Sequence, residues 1–204
     1  KIFPGCRLLD IHEYLMEKGV VNGVRKLHNR TKVVGTFALG TRRLYDFLHE
    51  NTAVELWPVR YVNDPRQISR ERDFVSINAT LSVDLFGQCA SETLGTQYFS
   101  GSGGQADFAR GAQYSEGGQG FIVLPSTASD GRVSRITPTL NSGAVVTTNK
   151  NTVDNVVTEY GIAELEAAVE LAPDISEVHL ALGRANAQAG RRADGDRASA
   201  TFRK

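Results

Sequence analysis

The sequence predicts an α/β fold, an open mixed or parallel sheet with flanking helices, followed by a short all-helical tail. Two observations predict it. Between residue 8 and about residue 165, short β-branched segments alternate with short amphipathic ones, which is the order of strands joined by helical crossovers. From residue 165 to residue 204 strand signals stop, and ten of forty residues are alanine. We therefore expect an α/β domain over residues 1–165 and a helical appendage over residues 166–204.

Composition narrows the class of protein. The 204 residues include 23 Lys and Arg against 23 Asp and Glu, and this balance argues against a nucleic-acid-binding or membrane-binding surface. No apolar run approaches the ~18 residues of a membrane-spanning helix. The two cysteines, Cys6 and Cys89, are too few for a disulfide scaffold, and the four histidines lack metal-binding spacing. We expect a cytoplasmic globular protein that binds neither nucleic acid, membrane nor metal.

The first part of the chain predicts helices and strands in alternation. Residues 8–18 carry apolar side chains at helical spacing, and Gly19 follows them as a helix terminator. The β-branched segments 32–37 and 54–57 predict strands. Between these strands, Thr41 is expected to cap a short helix.

The middle of the chain predicts mainly strands. Residues 63–65, Asn-Asp-Pro, predict a turn that leads into a helix at residues 66–71. The segment 121–124 is wholly apolar, as expected of a central buried strand. Near the end, Pro173 separates a helix at residues 163–171 from a second helical stripe. Further strands are predicted at residues 74–78, 81–86, 134–137, 144–148 and 155–158.

Glycine is concentrated in one segment. Seven glycines lie from Gly101 to Gly120, and residues 100–105 read Ser-Gly-Ser-Gly-Gly-Gln. Glycines between a strand and a helix let backbone N–H groups approach an anion or a developing oxyanion. The segment lacks the Gly-Lys-Ser/Thr of a P-loop, and its match of Gly101, Gly103 and Ala106 to a dinucleotide-binding pattern lacks the acidic residue that should follow the next strand. From the residues alone, a plain flexible loop stays open as an alternative.

Four single residues are candidates for a site or for ordinary structural roles. Asn63 is predicted at the mouth of a strand, where its side-chain amide could donate to a substrate carbonyl or, alternatively, form an Asx turn. Glu92 and Glu159 are expected to be solvated surface carboxylates. Cys89 is expected to be a small buried residue with no neighbour that lowers its pKa.

Seven motifs, taken together in one order, resemble the C-terminal half of the acetyl-CoA hydrolase/transferase family, the acyl-CoA:carboxylate CoA-transferases. The resemblance covers about residues 8–165. The motifs are Phe37-Ala38-Leu39-Gly40, Val59-Arg60-Tyr61-Val62-Asn63-Asp64-Pro65, Val75-Ser76-Ile77-Asn78, Val83-Asp84-Leu85-Phe86-Gly87-Gln88, residues 100–111 (SGSGGQADFARG), Leu124-Pro125-Ser126-Thr127-Ala128 and residues 156–165 (VVTEYGIAEL).

The resemblance implies an enzyme that acts by ping-pong transfer. In this family a glutamate carboxylate attacks an acyl-CoA thioester, and CoA passes through a glutamyl-CoA thioester to a second carboxylic acid. By motif match, the Asn63 side-chain amide and the Gly104 backbone N–H would be the oxyanion donors. These two residues are therefore the predicted catalytic groups.

The same resemblance implies the binding residues and the partners. Gly101, Gly103, Gly104 and Gln105 would bind coenzyme A, which arrives as the acyl-CoA substrate, and no cofactor would be bound permanently. Gln88 and Glu92 would form part of the site wall. A small carboxylate would be the other substrate, and the complete enzyme would be a homo-oligomer.

The sequence also departs from the family. The family's N-terminal half is not represented, and the His-Thr-Glu stretch of the nucleophile is not found. An ungapped match places Cys6 at the nucleophile's position. The segment after residue 165 resembles a tetratricopeptide unit or, equally, a generic alanine-rich helical pair. The alternative function is thus a catalytically inactive scaffold whose helical tail binds a partner.

Overall fold

The computed structural model describes residues 7–164, and the chain divides into two compact units. Of the described residues, the first unit holds 7–76 and 103–120, and the second holds 77–102 and 121–164. Each unit is described separately below. The predictions for Cys6 and for the helical, tetratricopeptide-like appendage at 166–204 lie outside the described residues.

The first unit combines short parallel strand pairs with short helices. Its strands are β1 (Arg7–Leu8), β2 (Val33–Gly35), β3 (Phe37–Ala38) and β4 (Val54–Leu56). Its helices are α1 (Asp10–Glu17), α2 (Arg42–Leu48), α3 (Val59–Val62), α4 (Pro65–Ile68) and α5 (Gln105–Tyr114). β1 pairs with β3, and β2 pairs with β4, both in parallel.

Polar contacts from the start of α2 reach both ends of α1. The Thr41 hydroxyl and backbone N–H both donate to the Asp10 carboxylate, with the hydroxyl at 2.7 Å from Oδ1, and these bonds hold the pKa of Asp10 below its usual range. Arg43 contacts the buried carboxylate of Glu13 at 2.8 Å and that of Glu17 at 2.7 Å. Thr41 therefore occupies the predicted cap position of α2, but its hydroxyl binds the neighbouring helix instead of its own backbone.

The second unit is built from short strands. They are β5 (Val75–Ala79) and β10 (Gln119–Val123), each of which begins in the last residues of the first unit, and then β6 (Ser82–Asp84), β7 (Cys89–Ala90), β8 (Thr93–Leu94), β9 (Gln97–Tyr98), β11 (Thr127–Ala128), β12 (Val133–Ser134), β13 (Ile136–Thr137), β14 (Asn155–Thr158) and β15 (Gly161–Glu164). A 3₁₀ helix spans Lys150–Thr152.

The main sheet has the order β15-β14-β10-β5. β10 and β14 run in parallel with Ile122 opposite Val156, while β15 returns antiparallel to β14. Ile122 and Val156 are both 2% exposed and pack with Val83 and Cys89 in one apolar cluster. A mixed sheet with a central apolar strand confirms the predicted fold class.

Two predicted elements of the second unit are wrong. Residues 144–148 form no strand; Thr148 makes a single bridge to Cys89 and the rest runs as turns and irregular structure. Residues 161–164 form strand β15, so the helix predicted from residue 163 does not begin there. The alanine-rich composition favoured a helix, but the register with β14 fills the sheet edge with an antiparallel strand.

Cys89 is predicted to resist alkylation in the folded protein. The side chain is fully buried, and burial together with the nearby Asp84 carboxylate raises its pKa to about 12, so almost no thiolate forms near neutral pH. Iodoacetamide at pH 8 should leave the Cys89 peptide unmodified in buffer and modify it fully in urea, as read by peptide mass mapping. Rapid modification of that peptide in the native protein would contradict the burial.

Candidate active site

Asn63 is positioned by two consecutive short helices of the first unit. It is the C-terminal cap of α3, where its backbone N–H donates to the Val59 carbonyl at 2.8 Å. The strand predicted to end at Asn63 is therefore wrong, and a helix stands in its place. The N-terminus of α4 is capped by Asp64, whose Oδ1 accepts from the Arg66 N–H at 2.9 Å. The side chain that forms the Asx turn is therefore that of Asp64, and the Asn63 side chain is not used for it.

The Asn63 side chain lies against the first turn of α5. It is 8% exposed, and its Oδ1 has no hydrogen-bond partner among residues 7–164. A Cβ atom at position 104 would lie 2.5 Å from Asn63 Nδ2, which is closer than non-bonded atoms approach. The Asn63 amide and the backbone at residue 104 can therefore be neighbours only because that residue is glycine.

Gly104 begins the helix that carries the site. It is the N-cap of α5, and its carbonyl accepts from the Phe108 N–H at 3.0 Å. The first N–H groups of a helix lack intrahelical acceptors, and the positive end of the helix dipole adds to their attraction for an oxyanion. In the part of the chain that the structure describes, the Gly104 N–H has no acceptor. Gly103 precedes it with φ +58°, a left-handed conformation that favours glycine.

Gln105 places a third polar group at the same helix end. It is the first residue of α5 and is 6% exposed. Its Nε2 has no acceptor within the described ranges. Gly103, Gly104 and Gln105 thus lie at the start of α5, where the Asn63 amide lies against Gly104.

Apolar packing fixes these helices relative to one another. Val62, Ile68 and Phe108 belong to one buried cluster of the first unit, which therefore includes side chains of α3, α4 and α5. α4 and α5 approach so closely that a Cβ at Gly111 would lie 2.4 Å from Ile68 Cγ2. The polar groups at the start of α5 therefore lie on a helix that is packed into this buried apolar cluster.

The remaining predicted residues lie in the second unit. Gly101 is exposed, and a Cβ there would meet nothing within 4 Å. Gln88 donates through Nε2 to Asp84 Oδ2 at 2.7 Å. Glu92 is 8% exposed, and its Oε1 accepts from the Thr147 hydroxyl at 3.2 Å. Glu92 is therefore a buried carboxylate, and the expectation of a solvated one is wrong.

Glu159 differs from Glu92 in its setting. It is exposed, and its two carboxylate oxygens accept from the Ser126 backbone N–H at 2.8 Å and from the Ser126 hydroxyl at 2.5 Å. The sequence did not indicate this contact, because the two residues are 33 positions apart. The bidentate contact fixes the orientation of the Glu159 carboxylate at the end of β14.

The arrangement at α5 suits the stabilisation of negative charge on an oxygen atom. A side-chain amide and a backbone N–H that point at one small region are the usual components of an oxyanion hole. Among residues 7–164, no cluster of His, Cys, Asp and Glu could hold a metal ion, and no helix is long and apolar enough to cross a membrane.

Comparison with known proteins identifies the family of the chain. The family model of the acetyl-CoA hydrolase/transferase C-terminal domain matches residues 40–171. The chain belongs to this family. It is 53% identical over 167 residues to succinyl-CoA:cyclohexane-1-carboxylate CoA transferase of Geobacter metallireducens, a match that covers 82% of this chain and 38% of the relative. It is 51% identical over 152 residues to 4-hydroxybutyrate coenzyme A transferase of Clostridium kluyveri, covering 74% of this chain and 35% of that one.

Solved structures of related proteins share the fold. RipA from Yersinia pestis matches with a TM-score of 0.80 at 36% identity, over 97% of this chain and 42% of that one. A 4-hydroxybutyrate CoA-transferase from Porphyromonas gingivalis matches with a TM-score of 0.75 at 33% identity, over 97% of this chain and 44% of that one. The chain therefore spans less than half the length of the relatives that it matches.

Proposed function

We propose that this chain is the C-terminal part of an acyl-CoA:carboxylate CoA-transferase and that it contributes the oxyanion-stabilising half of the active site. The observation that carries the proposal is the contact between the Asn63 amide and the glycine that begins α5. The relatives' names supply the substrate class, an acyl-CoA and a small carboxylate. The complete enzyme would use coenzyme A as a substrate, without a permanently bound cofactor, and would be a homo-oligomer.

The proposed chemistry is a ping-pong transfer. A glutamate from the part of the enzyme that this chain does not represent attacks the thioester, and CoA is carried as a glutamyl-CoA thioester to the second acid. Each attack on a carbonyl carbon moves negative charge onto its oxygen. Asn63 Nδ2 and the Gly104 N–H would donate to that oxygen, and each such donor contributes on the order of 10²–10³ in rate.

The other residues of the proposal come from the motif match. Gly101 lies in the glycine segment and would contact coenzyme A, together with Gly103, Gly104 and Gln105. Gln88 and Glu92 would form part of the wall. Because Glu92 is buried and accepts from Thr147, its carboxylate is held in place.

A glycine variant tests the proposal in a chimera. In the chimera, residues 8–164 replace the matching part of the Geobacter metallireducens relative, and transfer of CoA from succinyl-CoA to a carboxylate is measured. We expect transfer activity, and a loss of about 10²-fold in kcat for Gly104→Ala, because the new methyl group displaces the Asn63 amide. Asn22→Ala is the control, since it removes an exposed amide that lies outside the proposed site and bonds to the backbone of Gly19 and Val24.

Two results would contradict the proposal. One is a chimera that folds, by its circular dichroism and cooperative melting, and transfers no CoA. The other is equal activity of the Gly104→Ala and unsubstituted chimeras. The chain of 204 residues by itself is expected to show no turnover, because it lacks the nucleophile motif; enzymatic turnover by the isolated chain would show that the nucleophile lies within it.

A further inference from the structure

The helix that carries Asn63 is too short to be stable by itself. α3 has four residues, and its N-cap, Pro58, makes no side-chain capping bond. Isolated helices shorter than about 12 residues are marginal in water, so tertiary contacts must hold α3. One such contact is apolar: Val62 is buried in the cluster that also includes Phe108 of α5. The place of the Asn63 amide against Gly104 therefore depends on the contacts of α3.

A second contact of α3 is polar and comes from Tyr61, two residues before Asn63. The Tyr61 hydroxyl donates to Asn29 Oδ1 at 2.9 Å. Asn29 Nδ2 donates to Glu55 Oε2 at 3.4 Å, and because a carboxylate only accepts hydrogen bonds, this contact determines which end of the Asn29 amide faces Tyr61. Trp57 closes the cluster: its Nε1 donates to the same Glu55 oxygen at 2.9 Å, and its ring centroid lies 5.2 Å from that of Tyr61.

The loop that carries Asn29 is itself anchored. The backbone N–H groups of the two preceding residues, Leu27 and His28, donate to the buried Glu71 carboxylate at 2.7 and 2.9 Å. Asn29 has φ +46°, a left-handed conformation that asparagine adopts more readily than most residues. Tyr61 is therefore bound to an acceptor on an anchored loop, so the hydrogen bond constrains α3.

We propose that Tyr61 is a positioning residue for the Asn63 amide, an inference that rests on the proposed CoA-transferase function. The bond from Tyr61 to Asn29 holds the orientation of α3, and Asn63 is the C-terminal cap of that helix. The fit on the other side is close, since a Cβ at Gly104 would lie 2.5 Å from Asn63 Nδ2. A rotation of α3 would redirect the amide that donates to the oxyanion, and a misplacement of ~1 Å can cost about 10²-fold in rate.

Removal of the Tyr61 hydroxyl tests the proposal in the chimera with the Geobacter metallireducens relative. Tyr61→Phe should lower kcat by about 10–10²-fold and change KM by less than about twofold, because the misplaced amide acts on an oxygen that is charged only in the transition state. Asn29→Gly removes the acceptor and still permits the left-handed backbone, so it should reproduce the loss. Tyr14→Phe, which removes an exposed hydroxyl from α1, should retain full activity.

A double-mutant cycle separates positioning from a general structural role. If Tyr61 acts through Asn63, Tyr61→Phe should cost less than about twofold in kcat when residue 63 is already alanine. A double variant whose loss is the product of the two single losses would overturn the proposal. So would a Tyr61→Phe chimera with a lower Tm but the kcat of Tyr14→Phe, because that result would assign the hydroxyl to stability alone.

The 204-residue chain gives a readout that does not need activity. In the ¹⁵N-labelled chain, Tyr61→Phe and Asn29→Gly should each shift the side-chain NH₂ signal of Asn63, whereas Tyr14→Phe should not. An unmoved Asn63 signal in both variants would overturn the proposal, whether or not the chimera transfers CoA. A chimera that loses activity with Gly104→Ala but not with Tyr61→Phe would keep the CoA-transferase function and exclude the positioning role, so the two failures are distinguishable.

Discussion

Replacing Asn63 by alanine should lower kcat of the chimeric CoA-transferase by about 10²–10³-fold, with little change in stability. The rate effect follows because the amide is one of two proposed donors to an oxygen that becomes charged only in the transition state. The stability effect is small because Asn63 Oδ1 makes no hydrogen bond within residues 7–164, while the α4 cap is made by Asp64. Steady-state CoA transfer and thermal unfolding of the same preparations give both quantities.

Two further variants sharpen this prediction. Asn63→Asp has nearly the same shape, but its carboxylate repels an oxyanion, so its kcat should be at least as low as that of Asn63→Ala. Asn22→Ala removes an exposed amide of the first unit, which contacts only neighbouring backbone, and should retain full activity. Asn63→Ala activity within about threefold of the unsubstituted chimera would exclude the donor role, since one oxyanion donor contributes far more than that.

The fold class was predictable because local pattern and tertiary structure agree over most of the chain. The apolar segment 121–124 overlaps β10, in which Ile122 is buried, and the amphipathic segment 8–18 contains α1. α3 was missed because Val59–Val62 is rich in β-branched residues and reads as a strand. Its helix depends on Pro58 at the cap position and on burial of Val62 against α4 and α5, and only the second of these is non-local.

Part of the candidate site was likewise predictable from the sequence, and part of it was not. The motif match named Asn63, Gly104 and Gln105 as residues of one site, although Asn63 lies 41 and 42 positions before the other two in the sequence. What it did not provide is the reason for glycine at position 104, which is the approach of the Asn63 amide. Nor did it indicate that Glu92 is buried, because that depends on Thr147, 55 residues away. Pairings of this kind follow from the folded chain and leave no local pattern.

Replacing Glu71 by alanine should lower the free energy of unfolding of the chain by about 3–5 kcal/mol. The Glu71 carboxylate is 5% exposed, and its two oxygens accept from the Leu27 N–H at 2.7 Å and the His28 N–H at 2.9 Å. Alanine removes the acceptor of both N–H groups, whose hydrogen bonds to Glu71 are part-buried. The loss should appear as a lower urea midpoint with an unchanged m-value.

The size of the Glu71 effect follows from how many elements meet at this residue. Its carboxylate fixes a loop 43–44 positions earlier in the sequence, and its backbone carbonyl accepts from the Ser115 hydroxyl at the end of α5, 2.5 Å away. Burial lowers the pKa of the half-buried Lys26, and the negative charge of Glu71 opposes that shift.

Two control variants separate these contributions. Glu71→Gln keeps the volume but offers only one acceptor oxygen, so its loss of stability should be about half as large. Glu116→Gln, which removes an exposed ion pair with Arg72, should cost at most about 1 kcal/mol. Similar small losses for Glu71→Ala and Glu116→Gln would mean that the loop at Leu27 and His28 is held by its own backbone contacts, and that the buried carboxylate contributes no more than a surface charge.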